Sequence, residues 1–580
     1  MSSNKKYVGS ARAEKEPLRW VIFGSSLVTL AFWTNLHDPF NAPKSWILSI
    51  SGMWLLGWVI FQLKRRWKVK SSKMSIIIPS LYLLSLVTSF LATDNKFIGF
   101  FGEYQRRTGL LAYVSLMAFF FAASLLIDQK SVTTLDRAAI IIGFFLGTYG
   151  LLQHFKHDFV NWSNPYNPII STLGNPDFSA AAMAIFAVLN FGILIQNKFF
   201  IWTRILAGLN VIVLLFTIYL SQVRQGLLCS IFGITIIVII WIYQRNRTAA
   251  HLVASLTTLI GLVGLLGMLN QGPLSKYFYK ISVTYRGDYW RAGWRMIIHN
   301  PLFGVGLDRY GANFRKYRDA TQVARRGPDL VSNAAHNVPI QLASTGGLVV
   351  LLTFILLIAF IFLRGIQALR KSSGTEQITI GVLFAAWLSY EAQSFISIDN
   401  LGIAIWGYVL GGAIVGISYN HENNLKRTSL SIIQRLISWS LAIAALAISA
   451  VFLQSEISMK TLSMYRVPQT QTSLEAYETL ARKPVSLIFK EPTFEVLVAA
   501  DLAQANDPTL AISNLKNVIA SDPRFFDAKE LLARIYEFQK DWQHAAQVRS
   551  QMVNLDPFNS ALKLRLRKDL NNSQRPTPSR

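Results

Sequence analysis

One cysteine, Cys229, stands among the 580 residues, so an intrachain disulfide framework and a cysteine-rich metal site are both excluded. Charge is scarce too. Only 15% of the residues are Asp, Glu, Lys or Arg, against about 25% in soluble domains. Acidic residues are the rarer kind: 31 Asp and Glu stand against 57 Lys and Arg, a net charge of +26. In a soluble protein that excess would call for nucleic acid. Here many basic residues flank apolar runs, where they orient the chain and meet anionic lipid, and no nucleic-acid partner is expected. The basic N-terminus precedes an apolar run without a small-residue cleavage site, which reads as a retained first span and not as a signal peptide.

What the chain has in plenty is apolar. Hydrophobic residues make up 52%, with 37 Phe and 15 Trp. They gather in runs near the length of about 20 residues that a membrane-crossing helix needs. The runs fall at roughly 19–36, 44–63, 74–92, 108–127, 136–153, 177–196, 199–220, 225–243, 249–269, 336–363, 377–397, 400–418 and 431–453. Only helices and closed barrels cross lipid, and these runs are too long for barrel strands. The expected fold class is all-α: a polytopic membrane helix bundle of about 13 spans, or 12 if the nearly continuous sixth and seventh runs are miscounted. Three regions follow. Residues 1–19 form a cytoplasmic N-terminus. Residues 20–453 form the transmembrane domain, with a large external loop at 270–335. Residues 454–580 form an external helical tail.

Orientation comes from the short loops. Lys5, Lys6, Arg12, Lys15 and Arg19 precede the first run, and Lys64, Arg65, Arg66, Lys68, Lys70 and Lys73 follow the second. Lys130, Arg245, Arg247, Arg364, Arg370, Lys371, Lys426 and Arg427 lie on the same side, while the opposite short loops are poorer, Arg106 and Arg107 excepted. The positive-inside rule puts that side in the cytoplasm and the large loop and tail outside.

In the tail, Asp522-Pro523 recurs as Asp556-Pro557, 34 residues on. Between them Ala528, Leu531, Leu532, Ala533 and Tyr536 share one helical face, and Trp542, Ala545 and Ala546 begin another helix. Leu510, Ile512, Leu515 and Ile519 supply one upstream. Period and small-residue pattern are those of tetratricopeptide helix pairs at about 505–570, with degenerate neighbours around 472–505. Such repeats offer a surface for a protein partner; the plainer reading is a helical cap on the membrane domain. The end, Gln574 to Arg580, reads as disordered.

The candidate chemistry sits in and around the polar interval Tyr277–Gly347. His336 lies at the mouth of the tenth run; a neutral imidazole takes a proton from a hydroxyl near pH 7, although a lone interfacial histidine is more often structural. Arg224 sits between the seventh and eighth runs, where a cation is costly unless it pairs or binds an anion. Arg286 opens a helical stretch that sets Trp290 and Trp294 on one face, suited to resting in the headgroup layer. Two guanidiniums and a histidine at one membrane face suit a lipid diphosphate, because the planar guanidinium fork matches phosphate oxygens. Asn300–Gly306 reads as a tight turn and not as a dinucleotide fingerprint, since the glycine spacing is wrong. His154 and His157 read as an interfacial loop in preference to a metal site. Glu391, with Asp399 nearby, is an intramembrane carboxylate and a candidate arginine partner. Lys44, Glu103, Arg107 and Asp177 lie in outward loops, within reach of sugar or phosphate.

Taken together, these motifs resemble the O-antigen ligase and polymerase superfamily, which also contains bacterial O-linked oligosaccharyltransferases. The resemblance covers about 20–420. It rests on Asn35–Lys44, Arg106-Arg107-Thr108-Gly109, Gly174-Asn175-Pro176-Asp177, Ser221–Arg224, then Arg286, Trp290, Asn300–Gly306, His336-Asn337 and Gly346-Gly347 in that order. It implies an inverting, metal-independent glycosyl transfer without a cofactor, from a glycan on undecaprenyl diphosphate to an acceptor hydroxyl on lipid, protein or another glycan. His336 would then handle the acceptor hydroxyl, and Arg224 and Arg286 the departing diphosphate. Trp290, Asn337, Arg107 and Lys44 would help to bind substrate. A polymerase joining lipid-linked repeat units is the alternative within this class. A polyprenol-linked glycan transporter would favour internal repeats and a midplane site, and a membrane scaffold would leave the arginines and His336 without a task.

Overall fold

The computed structural model describes residues 15–67, 73–128, 131–162, 167–420, 431–464, 492–505 and 507–574. Expectations about Lys5, Lys6, Arg12, Lys68, Lys70, Lys130, Lys426 and Arg427, about 472–491 and about the last six residues fall outside them. Every regular element described is a helix.

The bundle contains α1 (Lys15–Leu30), α2 (Asn41–Arg66), α3 (Met74–Ala92), the short α4 (Lys96–Phe101), α5 (Leu110–Leu126), α6 (Val132–His154), α7 (Pro176–Ile195), α8 (Ile201–Leu220), α9 (Arg224–Tyr243) and α10 (Arg247–Met268). The polar interval holds α11 (Ser275–Phe278), α12 (Ile281–His299), α13 (Tyr310–Tyr317) and α14 (Ala320–Arg326). The bundle resumes with α15 (Val338–Lys371), α16 (Gly374–Ser394), α17 (Leu401–Asn420) and α18 (Ile432–Met464). The tail comprises α19 (Pro492–Gln504), α20 (Pro508–Ser521), α21 (Phe526–Phe538), α22 (Trp542–Leu555) and α23 (Ser560–Ser573).

Each of the thirteen apolar runs lies on its own helix. The sixth and seventh are separate, divided at 196–200. Among the described residues, ten helices are long and apolar enough to cross a membrane. The protein is a multi-pass helical membrane protein. A helix that is apolar all round must be covered all round. In α17 the whole apolar window is buried, and in α7 it is 78% buried, so these two form the centre. Small residues bring backbones close there: a Cβ on Gly412 would come within 2.3 Å of the Phe120 carbonyl oxygen. In α10 only 6% of the window is buried, which places that helix at the rim, facing lipid.

Successive antiparallel crossings alternate the loops between two ends, and hydrogen bonds confirm the sorting. At one end Asn41 Nδ2 donates to the Gln105 carbonyl (3.0 Å), Asn400 Nδ2 to Asn41 Oδ1 (3.1 Å), and Asn333 Nδ2 to Gln105 Oε1 (2.8 Å). At the other end Lys198 Nζ donates to Thr379 Oγ1 (2.9 Å) and Gln244 Nε2 to the Gly374 carbonyl (2.8 Å). The polar interval and the tail both sit at the first end.

The tail is fastened there by charge and packing. Met459 and Leu462 of α18 share a core with Phe494, Val498, Leu515 and Leu532. Asp522 accepts both Arg309 Nη1 (2.6 Å) and Nη2 (2.7 Å), and Asp556 accepts two bonds from Arg318 Nη2 (2.7 and 2.8 Å). The two Asp-Pro motifs thus grip the two arginines that flank α13. Ala528, Leu532, Ala533, Tyr536, Ala545 and Ala546 are buried, as their helical spacing anticipates.

Candidate active site

His336 precedes α15 by two residues. Asn337 caps that helix: its Oδ1 accepts the Ile340 amide (2.9 Å), its Nδ2 donates to the Phe395 carbonyl (2.7 Å), and Pro339 takes a first-turn position where its missing N–H costs nothing. Asn337 is therefore a buried brace beside the histidine. His336 itself has φ 52°, a left-handed conformation uncommon for non-glycine residues though less so for histidine. Arg107, Gln222 and Asp308 also have positive φ, so loops at this end hold several strained residues, as functional sites often do.

The imidazole is half-buried and stacks on Tyr289 of α12, ring centres 5.1 Å apart. It lines a pocket with Arg106, Thr108, Tyr113, Gln341 and Asp399. Burial, and then the guanidiniums of Arg286, Arg106 and Arg326, hold its pKa down at about 4. The ring is neutral at neutral pH and its Nδ1 and Nε2 supply one donor and one acceptor. Burial pushes the Asp399 carboxyl the other way, to about 7. Two proton-bearing groups of opposite tendency therefore line one pocket.

Arg286 Nη2 donates to Gln225 Oε1 (3.3 Å). Arg326 donates to Tyr289 Oη (2.5 Å) and lies 4.1 Å above the Tyr285 ring. Neither arginine forms an ion pair among the described residues, and the same holds for Arg224. Arg224, exposed at the first turn of α9, donates to the carbonyls of Tyr277 and Phe278, 3.2 Å each. It is the chain neighbour of Gln225, which accepts from Arg286, and it does not line the His336 pocket. Trp290 is half-buried against the α12 cluster and its Nε1 is buried without a hydrogen-bond partner. Trp294 is 61% exposed, so the two tryptophans do not share one fate.

What aims α12 at His336 is a backbone joint. α15 is broken at Gly347 (φ 86°), and the Asn300–Gly306 turn fills the break. Val305 N donates to the Ser344 carbonyl (2.9 Å), Gly306 N to Thr345 (3.1 Å), and Leu348 N to Pro301 (2.7 Å). A Cβ at position 347 would lie 2.1 Å from the Leu302 carbonyl oxygen, so only glycine fits.

Residues 209–355 match the family model described as O-antigen ligase. The match spans about a quarter of the chain, which over that stretch is similar to the O-antigen ligase family. None of the curated proteins matches it. The O-antigen ligase segment runs from α8 into α15 and carries Arg224, Arg286, Trp290, Arg326, His336 and Asn337. Arg106, Thr108 and Asp399 reach the same pocket from outside it.

Two expected substrate contacts are corrected by the geometry. Lys44 is fully buried, and its Nζ donates to the carbonyls of Ala31 (2.5 Å), Thr172 (2.7 Å) and Thr29 (3.4 Å). Its three donors are used up in tying loops together. Arg107 is paired with Glu456, lies 3.6 Å from Asp38 and covers the Tyr104 ring at 4.9 Å. It anchors α18 and does not line the His336 pocket. Glu391 meets no arginine within ion-pair distance among the described residues; Asp399 and Ser394 are its neighbours. His154 and His157 belong to no group of three His, Cys, Asp or Glu among the described residues. Asp399 lines the pocket and Arg326 adds its charge beside His336, placements that the sequence alone does not give. Arg326 lies in a basic run beside Arg325, and Arg325 bonds Asp288 (2.7 Å), so adjacent arginines with one local appearance differ in whether they are ion-paired.

Proposed function

We propose that this membrane glycosyltransferase transfers a glycan from a polyprenyl diphosphate, undecaprenyl diphosphate being the bacterial form, to an acceptor hydroxyl at the outer face of the membrane. One observation carries the reading: a neutral histidine in a pocket, ringed by guanidiniums, two of which (Arg286 and Arg326) form no ion pair among the described residues, Asp177 being the carboxylate near enough to feel the charge of Arg286. Cations outside any ion pair at a membrane surface call for an anionic ligand, and guanidinium forks match phosphate oxygens.

The acceptor oxygen attacks the anomeric carbon as the bond from that carbon to the diphosphate oxygen breaks. The hydroxyl proton passes to His336, and the diphosphate leaves with the bonding electron pair. Inversion at the anomeric carbon follows from a single displacement. Charge grows on the leaving diphosphate, and Arg286, Arg326 and Arg224 stabilise it from fixed positions. Arg106 is held by Asp308, and it adds positive potential beside the imidazole. The fixed arginines take the part a metal ion plays in many diphosphate-sugar enzymes. The outer-face orientation draws support from the basic loops on the other side.

Glycan transfer in proteoliposomes containing EDTA tests the whole reading. Wild type is expected to transfer and Arg286→Ala to lose at least about a hundredfold. Transfer that stops with EDTA and returns with a divalent ion would contradict it.

A further inference from the structure

A second cavity of about 270 Å³ lies behind the His336 pocket, between the tail and the polar interval. That is just under the range of about 300–1,000 Å³ typical of small-molecule pockets and far more than a single ion fills. The two chambers share a wall. In the segment before α15, Ser332 and Asn333 face the outer cleft while Ala334 and His336 face the inner pocket. In the loop before α5, Glu103 and Gln105 face outward while Arg106 and Thr108 face inward.

The chambers differ in charge. Around His336 the guanidiniums of Arg286 and Arg326 form no ion pair among the described residues, although Asp177 feels the charge of Arg286. Around the outer cleft each guanidinium is paired: Arg309 with Asp522 and Asp94, Arg524 with Asp94, Arg315 with Asp556. An anion gains little there. What the cleft offers is mixed donors and acceptors (Glu103, Gln105, Asn333, Asp527) beside an aromatic wall of Phe525 and Phe526. Alternating polar forks and a ring face suit a neutral chain dense in hydroxyls.

We propose that the cleft between tail and polar interval is the acceptor subsite, and that it holds a neutral saccharide chain whose terminal hydroxyl is delivered across the shared wall to His336. This rests on the transferase reading of His336. The tail would then supply acceptor specificity through Phe525, Phe526 and Asp527.

The test uses the full chain in membranes of the producing cells, with Asp527→p-benzoylphenylalanine as photocrosslinker and Phe538→p-benzoylphenylalanine, 84% exposed on α21, as control. A saccharide adduct at 527 and not at 538 is expected. A peptide adduct, or none, overturns the proposal. A kinetic arm uses proteoliposomes charged with the crude envelope glycan pool of those cells. The Gln105→Ala/Asp527→Ala double variant is expected to need about tenfold more acceptor pool for half-maximal rate, with kcat and donor requirement unchanged. An unchanged acceptor requirement also overturns it. His336→Ala separates the two readings: crosslinking at 527 should persist in that variant while transfer is lost. Normal transfer by His336→Ala would sink the active-site reading, whatever the crosslink shows.

Discussion

At the residue scale the question is what a histidine with a pKa near 4 can do. It is a weak base in the free enzyme, because burial and three guanidiniums oppose its protonation. A bound diphosphate would neutralise those cations and make the imidazolium easier to form. The sign of the pH dependence follows. The acid limb of kcat/KM, which reports the free enzyme, should fall near pH 4, and the acid limb of kcat should lie at higher pH. Were Asp399 the proton acceptor, kcat/KM would instead decline below about pH 7 and the limb would vanish in Asp399→Asn; a pH-rate series on both proteins decides. Arg326→Gln should lower kcat/KM for the donor by about tenfold or more, the loss expected for a charge-assisted phosphate contact. Unchanged donor kinetics would return Arg326 to a purely structural role. The sequence marks His336, Arg286 and Arg224 because polar residues between apolar runs are conspicuous. It does not mark which charges are already spent. Lys44 and Arg107 look as available as Arg286, and their partners come from distant positions: Thr172 for one, Glu456 for the other.

At the scale of elements, the site depends on how α12 meets α15. The turn at Asn300–Gly306 and the glycine pair at 346–347 are each visible in the sequence. Their mutual backbone bonds are not, because nothing local says that one repairs the break in the other. Gly347→Ala places an L side chain at φ 86° and against Leu302. The conformational strain alone is worth roughly 1–3 kcal/mol, so the expected result is a clear drop in the detergent-solubilised melting temperature. A melt equal to wild type would mean the joint does not brace the fold. Asn337→Ala removes a cap worth about 0.5–2 kcal/mol and frees the segment that holds His336. It should therefore lower both stability and kcat. The helices themselves were the easiest part to read. Thirteen apolar runs became thirteen helices, most with ends shifted by a few residues, because span length is dictated by the bilayer; α15 and α18 run on to Lys371 and Met464, well past their apolar runs.

At the scale of the molecule, the polar network gathers at one end of the bundle. A carrier that alternates access would place its binding groups at the midplane, and here His336, Arg286 and Arg326 lie outside the apolar helices while Arg224 is the first residue of one. The tail closes over that end. Its recurrent Asp-Pro motif was legible as a 34-residue period; that each Asp would clasp an arginine flanking α13 was not, because the partners Arg309 and Arg318 carry no signal of the pairing. Arg318 and Asp556 are fully buried. Removing one strands the other, at about 3–5 kcal/mol. Asp556→Ala should loosen the tail and speed its proteolysis, and Arg318→Met with Asp556→Leu should restore much of the loss. The most direct measurement is glycan transfer in EDTA-containing proteoliposomes by wild type, His336→Ala and Arg286→Ala, each verified folded by its thermal melt. Transfer by wild type and its loss in both folded variants is the expected result. Wild-type rates in both variants would contradict an active site at His336.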